Sequence, residues 1–319
     1  MNPLITVITL AFNSSYLLDS IRSVLDQTYP SIQYLIVDDG SFDFNKAAVC
    51  SYIEQHKKKN IVEYEVIVNR QNLGTVRAFN LALKKANGDF IFNLAADDLF
   101  YDTEVLKEWT AEFLKRDSLF MLGRIAAYDS DLKEFKQYFP SPKEVRLLLE
   151  GDTKKIFHAL AKDNFVLGCG TARSRKLLQI CGYFDEDFFL LEDHPYALKI
   201  TRHSIRIDYW DRPVVRYRLG GVSAPHNFNS IYEKDADLNF RKEILPYMSH
   251  PFIAALEHRF WKYNRLQTGK FTTAYHELIA EGKRYLLPFL IFKFPLPVLR
   301  GIKNRLKRIT RNIKFKRKK

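Results

Sequence analysis

Two pairs of adjacent aspartates are the residues of this sequence best suited to chemistry. Asp38 and Asp39 directly follow one apolar run, and Asp97 and Asp98 follow another. One Asp is enough to cap a helix, so two adjacent pairs exceed what turns need. Carboxylates that meet without a matching basic cluster repel one another unless a cation joins them. We therefore expect these four side chains to serve a bound cation.

The expected cation is Mg²⁺ or Mn²⁺, because hard divalent ions prefer oxygen ligands and commonly complete their coordination with substrate phosphates. A nucleoside diphosphate is therefore the expected ligand. The usual phosphate loops are absent from the sequence: Gly-Cys-Gly at 168–170 lacks the third glycine of GxGxxG, and no GxxxxGK[ST] occurs. Charge neutralisation would then come from the metal, with Arg77 as a candidate helper.

The elements that must position these residues follow the pattern of a parallel sheet. Over residues 1 to about 128, short apolar runs alternate with amphipathic stretches, which is typical of parallel strands joined by right-handed helical crossovers. Ligands of such sheets bind beyond the carboxyl ends of the strands, where the polar residues lie. The predicted strands are 4–10, 34–37, 65–68, 90–94 and 119–126, and the predicted helices are 16–27, 44–55, 75–86 and 103–115.

The second part of the chain is less regular. From about 129 to 225 the sequence predicts helices at 143–150 and 173–180 and strands at 206–209 and 214–217. Helical apolar spacing returns from 230 to about 282. No linker separates an independent domain.

The net charge of +13 belongs to the end of the sequence. Residues 281–319 carry 14 Lys and Arg against one acidic residue, which leaves 36 basic and 36 acidic residues in 1–280. The apolar stretch 286–299 is too short and too interrupted to span a bilayer, which needs about 20 apolar residues. We expect a basic amphipathic tail that lies on an anionic membrane surface. Nucleic acid and plain solvent are the alternative partners, and nucleic acid is not expected.

Cysteine usage and the first residues indicate the compartment. Cys50, Cys169 and Cys181 share no CxxC spacing, which is typical of reduced thiols. The first basic residue is Arg22, whereas a signal peptide places positive charge before its apolar run. We expect a cytoplasmic protein that is peripheral on the inner face of the cell membrane.

Five segments together resemble glycosyltransferase family 2, in order and spacing, over roughly residues 1–225. The resemblance implies a GT-A fold, which is an α/β fold with a Rossmann-like, mostly parallel sheet flanked by helices. To this fold the sequence adds a C-terminal helical extension and the basic tail. The segments are ITVITLAFN (5–13), SVLDQTYPSIQYLIVDDGSFD (23–43), NLGTVRAFNLALKKANGDFIFNLAADD (72–98), CGYFDEDFFLLEDHPYALKI (181–200) and YRLGGVS (217–223).

The resemblance implies a donor site at the ends of the first four strands. Asp97 and Asp98 would hold the metal and the ribose-phosphate part of the donor, although Ala95 replaces the first carboxylate of the commoner motif. This departure puts the number of protein ligands in doubt. The remaining donor contacts implied are Phe12 and Asn13 at the base and ribose, Asp39 at a uracil-type base, Asp38 as loop support, and Asn72 and Arg77 at the donor.

The resemblance also implies the catalytic base. In the family's matching acidic pair the aspartate is the base, so Asp193 is predicted to deprotonate the acceptor and Glu192 to orient it or contact the acceptor. Without the family context, an acidic pair at a helix start compensates the helix dipole. Tyr217 and Arg218 are expected in a flexible loop that closes over the diphosphate.

The predicted function is that of an inverting, metal-dependent hexosyltransferase of the bacterial surface-polysaccharide type. It would move a sugar from a nucleoside-diphosphate sugar, expected to be a UDP-sugar, to a glycan or lipid-linked acceptor. The alternatives are a nucleotidyltransferase and an inactive relative that acts as a membrane assembly partner. The predicted domains are 1–225 (donor half 1–128, acceptor half 129–225), the helical extension 226–282 and the tail 283–319.

Overall fold

The chain separates into two compact units, and the architecture below is that of the first, Met1–Ala224 with Asn229–Pro246. The predicted tail, 283–319, lies outside the described residues, as does most of the predicted extension, 226–282. The predicted division into domains therefore stays a prediction. The computed structural model describes residues 2–220, 230–251, 254–255 and 258.

Nine strands form one sheet in the described part of the chain. The first two strands are buried along almost their whole length, which is why their sequences are continuous apolar runs. The strands are β1 Ile5–Ala11, β2 Ile32–Asp38, β3 Ile61–Val68, β4 Phe90–Ala95, β5 Leu99–Phe100, β6 Phe120–Tyr128, β7 Phe135–Phe139, β8 Thr171–Ser174 and β9 Asp208–Arg218.

Helices connect these strands and pack against them. Trp109 shows how they form the core, because its fully buried ring meets Phe92 of β4 at 5.2 Å between centroids. The helices are α1 Leu17–Leu25, α2 Lys46–His56, α3 Thr75–Lys85, α4 Val105–Arg116, α5 Pro142–Glu150, α6 Thr153–Leu160, α7 Arg175–Cys181, α8 Asp193–Arg202 and α9 Ser230–Asn239.

The strand order is β3-β2-β1-β4-β8-β6-β9-β5, with β7 paired to β6. The first four strands are parallel, as predicted, and the sheet continues through an antiparallel pairing of β4 with β8. The chain moves outward from β1 to β3 and then returns past β1 to β4. Right-handed crossovers therefore place α1 and α2 on one face and α3 on the other. The reversal makes the carboxyl ends of β1 and β4 the point where a ligand binds.

The second half of the sheet corrects several sequence predictions. The strands expected at 206–209 and 214–217 are one strand, β9, because Pro213 sits at a register shift against β6 where no ladder N–H is needed. Thr171–Ser174 is a strand, not part of a helix from 173, because Ser174 caps α7 through the N–H of Leu177. Strand β7 was missed because its residues are mostly exposed and do not alternate. Helix α6 was also missed.

No helix in the described ranges has both the length and the hydropathy to cross a bilayer.

Candidate active site

The loops after two strands close against the end of β1. The N–H of Asp39, just past β2, donates to the carbonyl of Ala11 at 2.8 Å. On the opposite side the N–H of Ala96, just past β4, donates to the carbonyl of Leu10 at 3.1 Å. The two aspartate pairs therefore lie on either side of the β1 end, which is the reversal point of the sheet.

Asp98 is fully buried in the turn that follows β4. Its Oδ1 accepts a hydrogen bond from the N–H of Arg218 at 2.9 Å. Its Oδ2 is buried and has no partner among the residues that the structure describes. Burial, and then the charge of neighbouring Asp97, raise the pKa of Asp98 well above its usual range. Burial also raises the pKa of Asp97. The pair is therefore a site of concentrated, poorly neutralised negative charge.

Arg218 is a cation that contacts this pair, and its place in β9 corrects the prediction that Tyr217 and Arg218 belong to a flexible loop. It is the last residue of β9 and only 8% exposed. Its Nε donates to the carbonyl of Asp97 at 2.7 Å, and its guanidinium lies 3.7 Å from the ring centroid of Tyr16. Strand pairing fixes Arg218, so its charge is part of the rigid site.

Asp38 and Asp39 both accept hydrogen bonds from backbone N–H groups, but they differ in which carboxylate oxygens have a partner among the described residues. Asp39 accepts hydrogen bonds from Asn69 Nδ2 (2.8 Å) and from the N–H groups of Leu73 and Gly74 (both 2.9 Å). Asp39 therefore supports the loop at 69–74, and its predicted contact with a uracil-type base stays a prediction. Oδ2 of Asp38 accepts only the N–H of Ser41 at 3.2 Å, and its buried Oδ1 has no partner within the described chain.

Phe12 and Asn13 line the same edge. Asn13 has a positive φ of 51° and is locked to the next loop, because its N–H donates to Ser41 Oγ at 2.7 Å and its Oδ1 accepts the N–H of Phe42 at 3.0 Å. This lock leaves the ring of Phe12 47% exposed beside the sheet end. An exposed ring next to a fixed polar turn suits the stacking of a planar base.

Asn72 and Arg77, the other two predicted donor residues, are both exposed. Asn72 supports its own loop, since its Oδ1 accepts the N–H of Gly74 at 2.9 Å. Arg77 is 56% exposed at its side chain and pairs loosely with Glu186, 3.8 Å away. The structure therefore places Arg77 over the turn at Glu186 and gives it no contact with either aspartate pair among the described residues.

Asp193 is the first residue of α8, as predicted, and Glu192 is its N-cap. Oδ2 of Asp193 accepts the N–H of Gly168 at 3.0 Å, and Oδ1 accepts the N–H of His194 at 2.6 Å. A Cβ on Gly168 would stand 2.7 Å from Oε1 of Glu192. The short 3₁₀ helix Gly168–Gly170 is therefore in direct contact with both acids.

The environment moves both acids toward protonation. Burial raises the pKa of Glu192, the charge of Asp193 raises it further, and Arg173 opposes this shift. Burial also raises the pKa of Asp193, while the N–H groups of Gly168 and His194 stabilise its charged form. A carboxylate whose pKa approaches neutrality is a stronger base at neutral pH.

Cys169, in the 3₁₀ helix, is influenced by the charges of both acidic pairs. Burial raises the pKa of its thiol well above the usual range, and the charges of Asp98, Asp193 and Asp97 add to that effect in this order. Asn93 of β4 also reaches the same turn, with its Nδ2 3.4 Å from the carbonyl of Gly168. Both acidic pairs, Asp97 with Asp98 and Glu192 with Asp193, therefore lie near this 3₁₀ helix.

Arg173 on β8 is a buried cation that the sequence analysis missed. It is 2% exposed, and its Nε and Nη1 have no hydrogen-bond partner in the described chain. Its guanidinium instead lies in a cage of aromatic rings, a setting in which cation–π attraction replaces hydration. Centroid distances are 4.7 Å to Phe184, 5.4 Å to Tyr196, 5.6 Å to Phe79 and 5.9 Å to Phe120.

His194 and Asp235 hold the segment that carries the acidic pair. Nε2 of His194 lies 2.8 Å from the carbonyl of Leu160, and its Nδ1 lies 3.1 Å from Asn239 Nδ2. These contacts fit a neutral ring, and burial lowers the pKa of His194 to about 4. Asp235 of α9 accepts three N–H groups of residues 189–191. No local sequence signal distinguishes Asp235 from an exposed helical acid.

Asp97 and Asp98 fit a metal ion that is completed by its substrate. The buried Oδ2 of Asp98, which has no partner among the described residues, is an oxygen for which a cation would be the natural partner, and a cation would offset the burial that raises both pKa values. Within the described ranges no group of three or more His, Cys, Asp and Glu residues is arranged to hold a metal. Ala95 occupies a position at which a carboxylate would provide a further metal ligand.

A sequence model described as Glycosyl transferase family 2 matches residues 6–180. An uncharacterized glycosyltransferase of Haemophilus influenzae is 28% identical over 268 residues, which cover 81% of this chain and 98% of that protein. The putative teichuronic acid biosynthesis glycosyltransferase TuaG of Bacillus subtilis is 32% identical over 127 residues, which cover 40% of this chain and 45% of that protein.

Solved structures of S. aureus TarS are similar in fold. Residues 1–349 of TarS in complex with UDP-GlcNAc align with a TM-score of 0.54 at 18% identity, over 83% of this chain and 73% of that chain. The same fragment in complex with UDP has a TM-score of 0.54 and covers 80% of this chain and 69% of that chain. The GT-A type of α/β fold expected from the sequence is thereby confirmed.

Proposed function

The chain belongs to glycosyltransferase family 2, and from that membership we propose that it is an inverting hexosyltransferase that uses a UDP-sugar. The observation that carries the proposal is the proximity of two acidic pairs to one short helix, Gly168–Gly170. One pair, Asp97 and Asp98, suits a diphosphate that is bound through a metal ion. The other, Glu192 and Asp193, suits an acceptor hydroxyl.

The donor is assigned to the carboxyl ends of β1, β2 and β4. The ring of Phe12 stacks on the base, and the turn fixed by Asn13 and Ser41 holds the ribose side. Asp97 and Asp98 would hold Mn²⁺ or Mg²⁺, which when bound supplies positive charge to the diphosphate. Arg218 adds a fixed positive charge on the same side. The UDP and UDP-GlcNAc complexes of TarS support a uridine nucleotide as the donor class.

Asp193 is assigned as the general base. It takes the proton of the acceptor hydroxyl while the acceptor oxygen bonds to the anomeric carbon, and the bond from that carbon to the diphosphate oxygen breaks on the opposite face. UDP leaves with the electron pair, so one transfer inverts the anomeric configuration. Gly168 N–H fixes the carboxylate of Asp193 in place, and the raised pKa of Asp193 favours proton transfer.

The acceptor is assigned to a glycan or a lipid-linked intermediate of a surface polysaccharide. The likeness to a putative teichuronic acid glycosyltransferase supports this class. The 14 basic residues of 281–319, interspersed with apolar ones, support association with the inner face of the cell membrane, where such acceptors are presented.

A product assay tests the proposal. The full chain is incubated with a panel of UDP-sugars and of lipid-linked and free oligosaccharides, with and without Mn²⁺. We expect acceptor-dependent release of UDP that requires the metal, and an inverted anomeric centre by NMR. Pyrophosphate formed from a nucleoside triphosphate and a sugar phosphate would indicate a nucleotidyltransferase instead. No release of nucleotide from any sugar nucleotide would indicate an inactive relative.

A further inference from the structure

One face of α9, and of the π-helical turn Phe240–Ile244 that continues it, contacts the segment around Glu192 and Asp193. The contacts come from four side chains at helical spacing. They lie beyond residues 6–180, the part that matches the family. We call this surface the clamp face, and it consists of Asp235, Asn239, Lys242 and Glu243.

Asp235 makes the central contact of the clamp face. Its Oδ2 accepts the N–H of Phe189 at 3.0 Å, of Leu190 at 2.6 Å and of Leu191 at 3.1 Å. The side chain belongs to a residue that is only 5% exposed. Three charge-assisted bonds to consecutive amides fix the backbone immediately before Glu192.

The other three side chains hold both flanks of the acidic pair. Nδ2 of Asn239 lies 3.1 Å from Nδ1 of His194, the residue after Asp193. Nζ of Lys242 lies 2.6 Å from Asp187 and also pairs with Asp185. Glu243 pairs with Arg202 at the last turn of α8, and its carbonyl accepts Nη1 of Arg202 at 2.8 Å.

We propose that the clamp face positions the catalytic pair, with Asp235 as its main positioning residue. The proposal rests on the proposed function, in which Asp193 is the base. A base works only when its oxygen reaches the acceptor hydroxyl in a narrow geometry, and a displacement of about 1 Å can cost about 100-fold in rate. The π-helical turn fits this role, because π turns are frequent at functional sites. It keeps Lys242 and Glu243 on the same side as Asp235 and Asn239.

A positioning role of Asp235 can be distinguished from a general loss of protein stability, because the turn at Asp97 and Asp98 and the base Asp193 belong to different segments. Asp235 contacts the segment that carries Asp193 and, among the described residues, makes no hydrogen bond to the turn at Asp97 and Asp98. Its loss should therefore reduce the chemical step and leave the turn at Asp97 and Asp98 intact. A kcat effect without a KM effect for the donor is the signature of this separation.

The experiment compares Asp235→Asn and Asp235→Ala with the full-length wild type. We expect kcat to fall by about 100-fold with unchanged donor KM and UDP affinity, and the amides of 189–191 to lose hydrogen-exchange protection. Lys234→Ala, an exposed neighbour on the same helix, is the matched control and should change neither value. If Asp235→Ala fails to fold, the same measurements are made on the nearly isosteric Asp235→Asn and on Lys242→Met, which removes the clamp-face contact with Asp185 and Asp187.

Each of the remaining outcomes of this experiment would contradict either the clamp proposal or the proposed function. Loss of amide protection with wild-type kcat overturns the clamp proposal, and so does full protection in both Asp235 variants. A parallel rise in donor KM also overturns it, because the effect would then reach the donor site. A wild-type chain that transfers no sugar refutes the proposed function instead, while exchange at 189–191 still decides whether Asp235 holds the loop.

Discussion

Oδ2 of Asp193 accepts a hydrogen bond from the backbone N–H of Gly168 at 3.0 Å, across 25 residues of sequence. The 3₁₀ helix that begins at Gly168 thereby holds the candidate base directly, in addition to the contacts that α9 makes with the neighbouring residues. A backbone donor cannot change rotamer, so it fixes the carboxylate more firmly than a side chain would. The same glycine lies where a Cβ would meet Glu192.

Gly168→Ala should lower turnover without preventing folding. The added Cβ would lie 2.7 Å from Oε1 of Glu192, which is the end of a flexible side chain and can move away. We expect a fall in kcat, little change in UDP affinity and little change in melting temperature. A double-mutant cycle with Glu192→Ala provides the check. If Gly168→Ala costs the same kcat with and without Glu192, the contact is not the cause.

Asp193→Asn should remove general-base catalysis and leave donor binding near normal. The amide keeps the size of the side chain and an oxygen that can accept the Gly168 N–H, but it cannot take a proton. We expect turnover to fall by about 100-fold or more, measured as UDP release in the presence of acceptor. Asp117→Asn is the control, because the side chain of Asp117 is 95% exposed on the surface. Unchanged turnover in Asp193→Asn would remove Asp193 from the role of base.

A chain that lacks residues 283–319 should bind anionic vesicles more weakly than the full chain. The removed residues carry most of the excess positive charge of the sequence, and each Lys or Arg near such a surface contributes about 1 kcal/mol. We expect the difference to be large at low salt and small at high salt, because salt screens the attraction. Sedimentation with phosphatidylserine vesicles measures it, and neutral vesicles are the control. Equal binding by both chains would contradict the prediction.

The donor side of the site could be predicted from the sequence because its signals are local. Asp38, Asp39, Asp97 and Asp98 each follow an apolar run directly, and the parallel-sheet rules bring the ends of such runs together. The strands and helices of the first 128 residues, apart from the two-residue strand β5, were predicted for the same reason. The fold beyond that point was predicted less well, since β7 is exposed and β9 contains Pro213.

The residues that hold the acidic pair could not be predicted, because their partners are distant in sequence. Asp235 bonds to amides 44 to 46 residues away, and in the sequence it is one more acid in a polar helix. Arg173 stands in a run of basic residues typical of a solvated surface, yet pairing of β8 with β4 and β6 buries it. Only the tertiary structure distinguishes Arg173 from Arg175.

His194 should make the free energy of unfolding depend on pH between about 6.5 and 4. Burial lowers its pKa in the folded state to about 4, so the unfolded chain takes up the proton first as the pH falls. The stabilising contribution is complete above about pH 6.5 and is lost toward pH 4. Between pH 7 and pH 5 we expect His194 to contribute a loss of about 2 kcal/mol. Urea unfolding at both values measures this loss as the difference between wild type and a variant without this histidine, because the buried acids change the stability of both chains alike.

His194→Gln should abolish that part of the pH dependence, since a glutamine does not titrate in this range and offers both a donor and an acceptor for Leu160 and Asn239. The control is His158→Gln, at an exposed position of α6. An equal change from pH 7 to pH 5 in wild type and His194→Gln would show that His194 is not buried as a neutral ring.

Arg173→Met should shift the pH dependence of catalysis without removing activity. Methionine is unbranched and fills the aromatic cage, but it lacks the charge that opposes the rise in the pKa of Glu192. With that charge gone, the pKa of Glu192 rises further, so the ionised form of the acidic pair is reached only at higher pH. The acidic limb of the kcat/KM profile should therefore move upward by roughly one pH unit. Arg173→Lys, which keeps a positive charge, should move it less, and Arg175→Met on α7 should leave it in place. An unshifted limb in Arg173→Met would mean that the caged guanidinium serves packing alone.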